Sequence, residues 1–286
     1  QLSKNFYTIY YNIQKLKELK EHIDRLDTLV ASYQNQVIKR NVQLRDVVRL
    51  QSLLLEIQQD YTSITNENIA LMQDLTLICG INDSVELVLN ELNVEKFKTI
   101  KFLKLKIMDS LIQIHPDILY ANAIVESRDT YLKWQKSLAK TDLTAGLSYD
   151  QNGGTFQNQV DITLGINLPL WNKNKGNIKA ASINVEQAKT LQESKKNEVL
   201  HNFETAWQQW HINVKQTKNK NDIILQNLQN VYDGITDNFE KGNISIIEFC
   251  DFIDSFHYSG LQLNEIKKQW LLSSIQLNYV CNFDLF

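Results

Sequence analysis

Apolar residues return every third or fourth position through most of this chain, and the runs are long. Over residues 1 to about 39 they fall at Ile13, Leu16, Leu19, Ile23, Leu26, Leu29, Val30 and Tyr33, the spacing of one buried helix face. After a break near Arg40-Asn41 the stripe resumes from about Leu44 to Cys79, through Val47, Leu50, Leu54, Ile57, Tyr61, Ile64, Asn68, Leu71 and Leu75. Gly80 stands where a left-handed residue closes a helix. Two stripes joined by so short a turn predict a helical hairpin. Residues 81 to about 112 are the least regular and predict a connection holding short elements. His115-Pro116-Asp117 then opens a helix to about Lys140 through Leu119, Ala121, Ala123, Val125 and Trp134, with Pro116 in the first turn, where a missing N–H costs nothing.

Between residues 142 and 168 the period drops to two. Leu143, Ala145, Leu147 and Tyr149 share one face against Thr144, Gly146 and Ser148. Val160, Ile162, Leu164, Ile166 and Leu168 alternate more strictly with Asp161, Thr163, Gly165 and Asn167. Gln151-Asn-Gly-Gly-Thr155 supplies turn chemistry, so the segment predicts a β-hairpin set between helices. Pro169 ends the second strand, and Trp171-Asn-Lys-Asn-Lys-Gly176 leads into a helix over 177–237. Its seam includes Ile178, Ala181, Val185, Ala188, Val199, Phe203, Ala206, Trp210, Val214, Ile224, Leu228, Val231 and Ile235. At 1.5 Å per residue, roughly 60 residues make a rod of about 90 Å, longer than a compact domain holds. A last helix over 244–281 carries Ile247, Phe252, Leu261, Ile266, Trp270, Leu271, Ile275 and Leu277.

The break at Gly242-Asn243 repeats the one at Arg40-Asn41, 202 residues earlier, and the same offset sets Asp46 on Glu248, Arg49 on Asp251 and Cys79 on Cys281. The chain therefore reads as an internal repeat of long helical hairpins. Residues 1–80 form a first-repeat hairpin, 81–112 an inter-repeat connection, and 113–286 a second repeat that includes the hairpin 142–168. The fold class expected is mainly α with a β-hairpin. The opening residues read as helix interior, so the first repeat is expected to be N-terminally truncated.

Composition agrees. Nine Gly and two Pro in 286 residues are few for a chain with the usual number of turns. At 43% hydrophobic and 22% charged residues it can bury a long seam, and a mixed net charge of −3 recommends no nucleic acid partner. No apolar run reaches the roughly 18 residues of a transmembrane helix. That leaves β-barrels open, since their strands need only about 9–11 alternating residues.

Cys79, Cys250 and Cys281 form no CxxC pair and read as structural, with a Cys79–Cys281 disulfide open in an oxidising compartment. The histidines, His22, His115, His201, His211 and His257, show no metal-ligand spacing, and no phosphate loop or nucleophile motif is present. No enzyme activity, metal or cofactor is expected.

An alternating strand pair with one apolar face either packs on a soluble core or stands in a barrel wall, lipid on one side and water on the other. A hairpin alone is marginally stable, and no nearby sequence completes a sheet. Glu248 and Asp251 lie three apart at the start of the last helix, hence on one face. Acidic groups there also favour the helix dipole at its N-terminus.

Three stretches carry a resemblance. Gly165-Ile-Asn-Leu-Pro-Leu-Trp-Asn-Lys-Asn-Lys-Gly-Asn-Ile-Lys-Ala-Ala181 is similar to the strand-to-helix junction of TolC-like outer-membrane efflux proteins. His115-Pro-Asp-Ile-Leu is similar to that family's helix opening, and Phe239-Glu-Lys-Gly-Asn-Ile-Ser-Ile-Ile-Glu-Phe-Cys-Asp251 to its helix-to-helix turn. The resemblance covers nearly the whole chain in the expected order and points to the metal- and drug-efflux branch. It implies a homotrimer in the outer membrane of a Gram-negative bacterium. Each protomer would give strands to a shared transmembrane β-barrel and long helices to a periplasmic α-barrel tunnel, with 81–112 at the equator.

The implied function is a passive duct of a tripartite efflux system, for small molecules or metal ions, working with a periplasmic adaptor (membrane fusion) protein and an inner-membrane transporter. Val160, Ile162, Leu164, Ile166 and Leu168 would then face outer-membrane lipid, and Pro169, Trp171 and Gly176 form the strand–helix junction, Trp171 at the membrane interface. Arg40, Asn41, Gly242 and Asn243 would dock the adaptor. Glu248, Asp251 and Asp46 would gather by threefold symmetry into a cation-selective periplasmic gate, with Arg49 pairing an acidic neighbour. Relative to the family only one hairpin is present, Arg40 stands for the turn Gly, and no Pro precedes the strand at Asp142. The rival reading is a soluble coiled-coil scaffold or tether with a small docking hairpin.

Overall fold

The structure, a computed structural model, describes residues 1–81, 87, 94, 96–100, 102–151, 158–167, 173–218 and 221–286. Its elements are α1 (Leu2–Ile38), α2 (Leu44–Cys79), a short 3-10 turn (Lys96–Lys98), α3 (Lys104–Ile114), α4 (Pro116–Ser137), β1 (Asp142–Asp150), β2 (Gln159–Asn167), α5 (Lys175–Lys218), α6 (Asn221–Glu240) and α7 (Ile246–Cys281). The mainly α chain with one β-hairpin is as the periodicities indicate. Several boundaries differ from the sequence reading, the long helical stretch running from Lys175 to Glu240 rather than 177–237. The stretch 177–237 is described as α5 and α6, with 219–220 outside the described residues. The last helix begins at Ile246 rather than 244, because Ser245 caps it. The second strand is shifted to Gln159–Asn167, and Leu168 and the turn residues 152–155 lie outside the described residues.

Two compact units are present. One comprises Gln1–Phe102 with Glu204–Phe286, the other Leu103–Phe203. In the first, α1 packs on α2 and α7, and α6 on α7. Its core runs along the apolar stripes: Leu19, Ile23, Leu26 and Val30 of α1 meet Leu50, Leu53, Leu54 and Ile57 of α2, with Tyr232 and Phe239 of α6 and Phe249, Cys250 and Ile253 of α7. Below the hairpin turns the rings form a short column, Phe239 lying 5.6 Å from Tyr33 and 4.1 Å from Phe249, both stacked. Farther along, Trp210 and Trp270 are buried, and Trp270 Nε1–H donates to the Phe97 carbonyl at 3.3 Å.

The two turns of this unit are the same object. After α1, Arg40 N–H donates to Val37 O (2.9 Å) and Asn41 N–H to Gln36 O (3.0 Å). After α6, Gly242 N–H donates to Phe239 O (2.9 Å) and Asn243 N–H to Asn238 O (2.8 Å). Both pairs are the Schellman closure, with Arg40 (φ 63°) and Gly242 (φ 75°) at its left-handed position. The outgoing helices also end alike, on left-handed Gly80 (φ 66°) and Asn282 (φ 57°). The 202-residue repeat thus extends to individual backbone hydrogen bonds.

In the second unit, His115 caps α4, its Nδ1 accepting from Asp117 N–H at 3.2 Å, and Leu132 of α4 packs with Ile178, Ala181 and Val185 of α5. Here the sequence seam was misplaced. Leu119 and Trp134 are about half exposed, and Ile118 and Leu132, one or two positions round the helix, are buried instead. With many apolar groups around α4, periodicity leaves the buried side undecided.

The disulfide left open by the cysteines is not formed: all three are free, Cys79 exposed and Cys250 and Cys281 buried. The expectation of burial thus fails for Cys79. Among the described residues no helix is long and apolar enough to cross a membrane.

Candidate functional site

The helical turns set three of the nominated side chains, Asp46, Arg49 and Asp251, around Cys250. Leu44 and Ile246 start α2 and α7, which puts Asp46 and Glu248 at the third position of their helices and Arg49 and Asp251 one turn on. Arg49 Nη2 lies 3.9 Å from Asp251 Oδ1, both side chains about half exposed or more, so the repeat partners pair with each other across the two helices. Asp46 is within 3.6 Å of Arg45 Nε. Between these groups sits the buried Cys250 thiol, whose pKa burial pushes up to about 11; Arg49 pulls against that shift, while Asp251 and Asp46 add to it.

Glu248 is engaged differently. Its Oε2 accepts from Ser245 N–H and Ser245 Oγ–H, both at 2.9 Å, while Glu248 N–H donates to Ser245 Oγ at 3.3 Å. This is a complete capping box, and the Ser245 backbone and hydroxyl donors hold the carboxyl below its ordinary pKa. Gln43, at the equivalent place before α2, makes no side-chain cap. The bland reading of Glu248 as a helix-start residue is therefore realised, and Asp46 and Asp251 are not tied up in this way. The signal was in the sequence: Ser245-x-x-Glu248 is the capping-box pattern.

The strand pair has a strict register. Leu143 faces Ile166, Ala145 faces Leu164, Leu147 faces Ile162 and Tyr149 faces Val160, so every apolar residue of the pair is on one face. None is covered: Leu143, Leu147, Tyr149, Val160, Ile162, Leu164 and Ile166 are all 62–82% exposed. On the other face Thr144 Oγ1 donates to Gly165 O and Thr163 Oγ1 to Gly146 O, each at 3.3 Å. The opposing threonines crowd both glycines: a Cβ at Gly146 or Gly165 would stand 2.7 or 2.6 Å from a threonine Oγ1, which would have to turn away and give up its hydrogen bond.

Of the junction residues, Pro169 and Trp171 lie outside the described residues. Gly176 falls within the first turn of α5, with open space around it. The left-handed residue is Asn174 (φ 53°), and its Nδ2 donates to the carbonyl and Oε1 of buried Gln135 at 2.9 and 2.7 Å. Sequence reasoning missed this clasp between the end of α4 and the start of α5. Asn is the residue most tolerant of that backbone after Gly, which was the available signal.

A uniform apolar strand face, small residues behind it and paired helical hairpins are the parts of a TolC-like fold, and solved structures bear that fold out. No family model and no curated protein matches the sequence, but solved structures do. The chain is similar to CusC, a transmembrane channel (TM-score 0.78, 16% identity, 98% of this chain and 66% of that one). It is similar to the CmeC outer membrane channel of Campylobacter jejuni (TM-score 0.76, 14% identity, 99% and 62%). It is also similar to the outer membrane protein VceC of Vibrio cholerae (TM-score 0.75, 12% identity, 100% and 69%). The chain thus spans about two thirds of the length of these proteins, and the likeness defines its fold.

Proposed function

We propose that the chain is part of an outer-membrane channel of a Gram-negative bacterium, a passive conduit in a tripartite efflux system. The observation that carries this reading is the bare apolar face of β1 and β2. Seven large side chains in strict alternation are left uncovered by the described chain, and a barrel wall places such a face in lipid. The likeness to solved channels supports it. Barrel closure needs strands beyond these two, and in this reading further copies of the chain supply them in a homotrimer.

In this reading the turns at Arg40-Asn41 and Gly242-Asn243 meet the periplasmic adaptor, which links the duct to an inner-membrane transporter. Asp46 and Asp251, with Glu248 beside them, form the cation-favouring constriction, and the Arg49–Asp251 pair holds it closed. The duct performs no chemistry, and its cargo is small molecules or metal ions.

The test uses the protein that contains this chain, expressed in a Gram-negative host with Lys placed on either face of one strand. Leu164→Lys would put a charge in the hydrocarbon and abolish outer-membrane trimer assembly, whereas Thr163→Lys, facing water, leaves it intact. Recovery of the wild type as a soluble monomer, or equal tolerance of both substitutions, refutes the duct.

A further inference from the structure

The helical unit of α1, α2, α6 and α7 contains a cluster that the duct reading does not use. His257 of α7 is buried, and its Nε2–H donates to Asp60 Oδ2 of α2 at 3.0 Å, tying together helices 197 residues apart. His22 of α1 lies beside it. The His22 ring is wedged between Tyr232 of α6 (centroids 5.3 Å apart, edge-on) and Phe256 of α7 (5.4 Å), which touch each other at 4.5 Å. Arg25 of α1 stands over the Tyr232 ring, 5.3 Å from its centroid. A cavity of about 120 Å³ opens among these groups, with Lys15, Glu18, Glu21 and Gly260 also on its wall.

We infer that the enclosed His22 ring, beside His257, is an acid-sensitive joint: a proton on His22 loosens α6 and α7 from α1. The inference goes beyond the duct reading and stands on this helical unit alone. The charge inventory around the joint gives the direction. From α1 come Lys15, Glu18, Glu21 and Arg25, from α2 Asp60, from α6 Tyr232, and from α7 His257 and Lys267. Lys15 is already committed to Glu265 at 2.8 Å.

At neutral pH, Glu18, Glu21, Asp60 and Glu265 offset Lys15, Arg25, Lys267 and Lys268, the last paired with Glu265 at 2.7 Å. A proton on His22 adds a cation between two aromatic walls, beside Arg25 and His257, with no carboxylate in hydrogen-bond contact to receive it among the described residues. Glu18, whose carboxyl burial holds above the ordinary range, loses its charge early on acidification and removes a counter-charge from the same wall. Both changes push the cluster positive. Breaking it frees Tyr232 from His22, and Phe256 and His257 with it.

Burial, then His257, then Arg25 lower the His22 pKa from 6.5 to about 4. A base so depressed contributes stability that is complete above pH 6.5 and is lost as pH falls toward 4, because the opened state takes the proton more readily. At pH 5 the opening equilibrium should rise roughly thirtyfold over its value at pH 7.5.

Hydrogen exchange of the full chain, corrected for intrinsic rates, reads this directly. Peptides covering 228–240 and 250–262 should lose about that factor of protection between pH 7.5 and 5, and His22→Phe, which keeps a ring in the wedge but cannot take the proton, should lose at most a few-fold. Equal losses in wild type and variant, or none in the wild type, overturn the inference. Should His22→Phe not fold, exchange of the imidazole Cε1 proton in the wild type decides: titration of His22 below pH 5 supports the joint, and titration at pH 5 or above refutes it. Neither readout involves membrane insertion, so failure of the joint and failure of the duct are separable.

Discussion

The same substitution, Gly to Ala, should have opposite effects at two positions only eight residues apart in sequence. Gly234 lies within α6 and Gly242 terminates it at φ 75°, and no atom stands within 4 Å of a Cβ added at either. Steric contact is thus absent from both, and only the backbone distinguishes them. In the helix interior Ala is favoured over Gly by about 0.5–1 kcal/mol, because Gly loses more conformational freedom on folding. In the left-handed region a Cβ meets its own carbonyl, costing about 1–2 kcal/mol, which outweighs that entropy gain.

Gly234→Ala should therefore raise the denaturant midpoint of helix loss and Gly242→Ala should lower it, at unchanged m-value, with roughly 1–3 kcal/mol between them. Arg40, the repeat counterpart of Gly242, already bears the left-handed strain at φ 63°, so Arg40→Gly should be neutral to stabilising. Circular dichroism of the full chain in detergent against guanidinium is sufficient. A Gly242→Ala midpoint at or above wild type, or shifts of one sign for both alanines, would refute the left-handed strain assigned to position 242, and a marked loss on Arg40→Gly would refute the equivalence of the two turns.

Phe239→Ala removes the middle ring of the Tyr33–Phe239–Phe249 column and should cost about 3–5 kcal/mol, read from the same denaturant curves. Gly165→Val sets a side chain against Thr144 Oγ1 and should weaken hairpin pairing, seen, if the proposed homotrimer forms, as less assembled protein on unheated gels. Adding Thr144→Ala should restore part of it. Of the three thiols, Cys79 is exposed, whereas burial pushes Cys250 and Cys281 up to about 11 and 12. Aromatic disulfide reagent at pH 8 should thus titrate one thiol per native chain and three in denaturant, and fast reaction of more than one would contradict the burial.

Some of this architecture was legible before any coordinates. The stripe from Val47 to Leu75 placed α2 at its observed ends, because apolar spacing and a closing glycine are local properties. The alternation through Leu143–Tyr149 and Val160–Ile166 likewise fixed which residues share a face. A repeat in which Arg replaces Gly was still detectable through Asn41 and Asp46, since the turn needs only one residue able to adopt positive φ and a polar residue after it.

Other features depend on groups distant in sequence and have no local signature. The side of α4 that is buried, Leu132 rather than Trp134, is set by Ala181 and Val185 some fifty residues later. The Asn174–Gln135 clasp, the Arg49–Asp251 pair and the His257–Asp60 bond join residues 39, 202 and 197 positions apart. Helical periodicity gives each residue an angle on its own axis, and only packing decides what occupies the facing groove. The sequence by itself determined the helical hairpins, the turns that close them and the two faces of the strand pair. The tertiary structure decided that Asp251 meets Arg49 and that His22 is enclosed beside His257, because burial and charge pairing are properties of neighbours brought together by the fold.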